Sequence, residues 1–64
     1  MRHTEFWARL EEVLGGAYSR HWASTQVIGE LGSRTPVQAL DAGVPPKQVW
    51  AAVWADLELP EQER

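Results

Sequence analysis

The sequence predicts an all-α fold, a compact orthogonal array of four to five short helices, and three observations carry that expectation. Apolar residues recur at three- and four-residue spacings, the period of a helix buried on one face. Gly15-Gly16, Gly32, Gly43, Pro45-Pro46 and Pro60 interrupt that pattern too often for long helices to line up as a bundle. A chain of 64 residues without a cysteine makes one domain at most and must be held by packing alone. Its four tryptophans suit that task, each able to bury about 150–250 Å².

The first helix is expected over residues 5–14. Thr4 reads as its N-cap, Glu5 meets the positive end of its dipole, and Phe6, Trp7, Leu10, Val13 and Leu14 share one arc. Gly15-Gly16 ends it, the first glycine being free to take a left-handed conformation. An unbroken helix from Ala17 to Leu31 would place Tyr18 and Trp22 on one face and Val27, Ile28 and Leu31 on the opposite one. A break near Ser24-Thr25 resolves the conflict, giving short helices over 17–23 and 25–31, with a hydroxyl capping the second and Gly32 stopping it.

Thr35-Pro36-Val37-Gln38 is the sharpest local signal: a capping threonine, proline at the first helical position and glutamine three residues after the cap. It predicts a helix over 36–42, ended by Gly43. Pro46 opens a last helix over 46–57, where Val49, Trp50, Val53, Trp54 and Leu57 form a wide apolar face and Pro60 marks the stop. The single domain therefore spans 1–60, and 61–64 is expected to be a frayed tail.

Charge is unevenly spread. Residues 1–34 balance four arginines against four glutamates, so the net charge of −3 lies wholly in residues 35–64. That half also holds the spacing Ala39-x-x-x-Gly43-Val44-x-x-x-x-Val49, which matches a helix-turn-helix. Used on DNA, it would offer Lys47, Gln48 and Ala51 to a major groove, with Lys47, Arg20 and Arg34 as the alternative nucleic-acid contacts. Only one residue of the presented face is basic, so nucleic acid is not the expected partner. No apolar stretch is long enough for a membrane span, and the opening residues contain no apolar run, so a cytoplasmic protein is expected.

Catalysis finds no support either. Glu11-Glu12 and the set Glu58, Glu61 and Glu63 read as solvated surface, His21 as exposed helix surface, and Ser19, Ser24 and Ser33 have no general base placed by a motif. His3 and His21 are eighteen residues apart without an acidic cluster, so no metal is expected, nor any cofactor or small-molecule substrate. Trp50 and Trp54 stand four residues apart on the last helix. Trp50 lies at the centre of the apolar arc and reads as core. Trp54 lies at its margin, and is the candidate contact to a protein partner.

The chain resembles a family of short actinobacterial proteins known as domain-of-unknown-function family 3046. The resemblance rests on Met1-Arg2-x-Thr4-Glu5-Phe6-Trp7, Leu31-Gly32-x-Arg34-Thr35, Ala39-Leu40-x-Ala42-Gly43-Val44 and Val49-Trp50-x-Ala52-Val53, and covers nearly the whole length. It implies a compact helical domain, often encoded near genes for a DNA-repair recombinase and its regulator, with no catalytic residues to carry over. This chain has Pro45-Pro46 where the family usually has Asp-Pro, which removes a side-chain cap from the last helix. The leading expectation is a protein-interaction module or regulator that is not an enzyme; the alternative is a helix-turn-helix nucleic-acid binder.

Overall fold

Glu5 rather than Thr4 determines where the first helix begins. Its carboxylate accepts a hydrogen bond from the main-chain N–H of Arg2 (3.2 Å), and the Phe6 N–H donates to the Arg2 carbonyl (3.0 Å). The first turn therefore closes ahead of Thr4, which falls inside it. In the computed structural model, which describes residues 1–63, α1 is His3–Leu14 with Arg2 as its N-cap. Arg64, the end of the expected tail, lies outside the described residues.

Gly15 alone separates α1 from α2 (Gly16–Thr25). Its φ of 88° with ψ of 150° is a combination essentially confined to glycine, and the sharp turn folds α2 against α1. The buried stripe of α2 is Ser19, Trp22 and Ala23, whereas Tyr18, expected to share a face with Trp22, is 56% exposed. Ser19 tolerates complete burial because its hydroxyl donates to the Gly16 carbonyl at 2.7 Å.

The helix expected over 25–31 is replaced by extended chain and a single turn. The Ser24 and Thr25 hydroxyls, expected to cap it, donate backwards to the Arg20 and His21 carbonyls within α2, at 2.7 and 2.9 Å. Val27, Ile28 and Gly29 are then a poor helix nucleus without a cap. Ile28 instead makes an isolated antiparallel bridge to Arg34, and one 3₁₀ turn, Gly29–Leu31, carries Leu31 into the core. Gly32 ends that turn in the left-handed conformation, with φ of 74°.

Thr35-Pro36-Val37-Gln38 folds as expected. The Thr35 hydroxyl accepts the Gln38 N–H (3.1 Å), the Gln38 side-chain oxygen accepts the Thr35 N–H (2.9 Å), and α3 runs Pro36–Asp41. α4 (Pro46–Asp56) starts without a side-chain cap, its first turn closed by the Pro45 carbonyl, which accepts from both Gln48 and Val49. Both helices end in the same paired bonds: Gly43 to Leu40 and Val44 to Ala39 after α3, Glu58 to Ala55 and Leu59 to Trp54 after α4. The residue with positive φ is a glycine in the first case (Gly43, 93°) and a glutamate in the second (Glu58, 53°).

α1 packs on α2 and α4, and α3 joins α2 to α4, so the helices close a ring with extents of 25 × 24 × 20 Å. Near-equal extents are what short, interrupted helices produce. Phe6 sits where the ring closes, fully buried, with its ring edge-on to Trp7 (5.3 Å) and to Trp50 (6.1 Å). Among the described residues no buried side-chain nitrogen or oxygen lacks a hydrogen-bond partner, and there is no strand beyond the single bridge. Over 61–63, read from sequence as the start of a frayed tail, the chain makes a 3₁₀ turn that lies back along α4. The Trp54 indole N–H donates to the Pro60 carbonyl and the Trp50 indole N–H to the Glu63 carbonyl, both at 2.9 Å.

Candidate functional site

Consecutive residues of α1 point to different places: Phe6 fills the core, while Trp7 is left half-buried at its edge. α2 brings Arg20 over the outer face of that ring, its guanidinium carbon 3.9 Å from the Trp7 centroid. Contact at that distance places the cation where the ring quadrupole attracts it most. α3 completes the surroundings with Val37, Leu40 and Asp41, and the result is an open groove of about 440 Å³ that also includes His3 and Ser24. Its floor is apolar, from Trp7, Val37 and Leu40. Its rim is polar, although the Ser24 hydroxyl donates to the Arg20 carbonyl of its own helix and is not offered as a donor to the groove.

Trp54, the contact expected from the sequence, is half-buried at the C-terminal end of α4, whereas Trp50 is only 2% exposed. With its N–H held by Pro60, Trp54 has ring surface but no donor to offer. The alternative nucleic-acid contacts Lys47, Arg20 and Arg34 are all exposed, yet they are not gathered at one site. Arg20 lies in the Trp7 groove; Lys47 lines a separate groove of about 480 Å³ with Met1, Glu5, Arg9, Trp50 and Ala51; Arg34 borders neither and sits at the bridge to Ile28.

The spacing Ala39, Gly43, Val44, Val49 forms a tight corner between α3 and α4. Ala39 and Val49 are fully buried, and the Val44 N–H donates to the Ala39 carbonyl at 3.0 Å. Lys47, Gln48 and Ala51 are exposed on α4, but the neighbouring Trp50 is buried under the tail that carries Glu61 and Glu63. No group of three or more His, Cys, Asp or Glu among the described residues is arranged to hold a metal ion, and no helix of theirs is long and apolar enough to cross a membrane.

The pairing of Trp7 with Arg20 was not legible beforehand. Trp7 falls inside the apolar arc of its helix and reads as core, and its partner comes from a different helix with no motif linking the two. A family model described as "Protein of unknown function (DUF3046)" matches residues 1–62. No curated protein and no solved structure matches the chain.

Proposed function

We propose, from the premise that this chain belongs to the DUF3046 family, that it is a small protein-interaction module whose docking surface is the Trp7 groove. The observation that carries the reading is the Arg20 guanidinium stacked on Trp7 above an apolar floor of Val37 and Leu40. Tryptophan and arginine are the residues most enriched at interface hot spots, and an apolar centre within a polar rim is the usual anatomy of such a surface. The groove is open rather than enclosed, which suits a protein surface better than a small molecule that must be largely buried. Binding rather than catalysis also fits the hydroxyls: those of Ser19 and Ser24 are spent on carbonyls of their own helix. A cysteine-free chain is compatible with work in the reducing cytoplasm.

The test is quantitative affinity capture from the native host with three baits: the unaltered chain, Arg20→Glu and Val37→Asp, each with its melting temperature measured. Arg20 is exposed and Val37 is only partly buried against the core, and the melting temperature separates loss of the groove from loss of the fold. A specific partner lost from both variants while melting is unchanged supports the groove. Recovery of the same partners in equal yield with all three baits would sink it.

A further inference from the structure

The strongest remaining feature lies on α4, under the C-terminal tail, and it does not depend on the Trp7 groove. The tail runs antiparallel to α4, and what holds it is reproducible in any copy of the chain. Two indole N–H groups one helical turn apart each take a main-chain carbonyl, Trp54 that of Pro60 and Trp50 that of Glu63. Leu59 packs partly buried against the core. These bonds to carbonyls are indifferent to which molecule supplies the tail.

The hinge between α4 and the tail is strained. Glu58 adopts φ of 53°, a region that a residue with a Cβ enters at a cost, and its carboxylate sits at the negative end of the helix dipole. Pro60 favours extended backbone at Leu59, so opening the hinge at Glu58 would send the tail away from its own helix as an extended arm. We infer that a second copy of this chain is the partner of the α4 slot, two molecules exchanging their C-terminal tails so that each pair of indoles holds the other's Pro60 and Glu63 carbonyls. The closed and exchanged forms share both indole bonds and differ at the hinge, where exchange relieves the left-handed Glu58 and gives up the Leu59 N–H bond to the Trp54 carbonyl. A short linker presents its own tail at an effective concentration on the order of 1 mM, and the left-handed Glu58 lowers that by about tenfold. Exchange therefore competes with self-closure at about 0.1–1 mM protein.

The experiment uses the full chain, sized by chromatography with light scattering after incubation from about 10 µM to about 1 mM, the range that brackets that effective concentration. The unaltered chain should be monomeric at the low end, with a dimer fraction growing at the high end. Glu58→Gly, which relaxes the closed hinge, should move dimer formation to about tenfold higher concentration. Glu58→Pro, which forbids positive φ, should move it lower. A chain monomeric up to about 1 mM overturns the inference, as does a dimer equally populated in the unaltered and Glu58→Gly proteins. That comparison holds even if Glu58→Pro fails to fold.

Discussion

Gly15 and Gly16 are adjacent and chemically identical, yet the backbone asks opposite things of them. A Cβ would meet no atom within 4 Å at either position, so sterics with neighbours play no part. Gly15 occupies φ 88°, ψ 150°, whereas Gly16 is the first residue of α2. Gly15→Ala should therefore cost roughly 1–3 kcal/mol, while Gly16→Ala should gain about 0.5 kcal/mol by restricting the unfolded chain. Urea denaturation of both variants checks this, and equal effects would remove the backbone explanation. The tryptophans of α4 make a similar contrast. Trp50→Ala, which empties a core position and orphans a contact with Phe6, should cost about 3–5 kcal/mol, and Trp54→Ala distinctly less because its ring is only partly buried. Equal losses in thermal melts would make Trp54 ordinary core. That difference was legible from the apolar arc. The burial of Ser19 in place of Tyr18 was not, because it depends on a hydroxyl bonding back to Gly16 rather than on hydrophobicity.

At the scale of elements, the sequence was most readable where short-range hydrogen bonds decide the outcome. α3 has only six residues and is pinned by the reciprocal Thr35 and Gln38 bonds. Thr35→Ala should cost about 1 kcal/mol, and more if the buried Thr35 N–H loses Gln38 as well. Calorimetric or chemical denaturation measures it, and a change below a few tenths would mean that packing alone holds α3. Residues 25–31 went the other way. Their apolar residues occur at spacings that fit a helix, but spacing says nothing of where a hydroxyl bonds, and both candidate caps turned back into α2. The start of α1 was misplaced for the same reason: Glu5 reaching back to Arg2 is as good a cap as the hydroxyl of Thr4.

For the whole molecule, fold class and the identity of the core helices followed from periodicity and punctuation, while the candidate groove did not, since it exists only once α1, α2 and α3 meet. The arrangement also bears on nucleic acid. Arg20, Lys47 and Arg34 sit apart, and the acidic tail lies against α4. Duplex DNA titrated at about 50 mM salt should bind more weakly than about 1 µM, with a shallow salt dependence. Tight binding with a steep salt slope would restore the α3–α4 corner as a reading head.

Ring closure brings the two ends of the described chain to the same side of α4. Met1 lines a groove with Trp50, and the Glu63 carbonyl accepts the Trp50 indole N–H. A short glycine-rich bridge should therefore join the ends, with new termini opened in the exposed Gly32-Ser33 turn, where Ser33 already carries a positive φ of 60°. Such a circularly permuted chain should keep its helical circular dichroism and melt cooperatively. The same adjacency makes the domain a cassette: spliced into a surface loop of a host protein, it needs no long connectors to enter and leave.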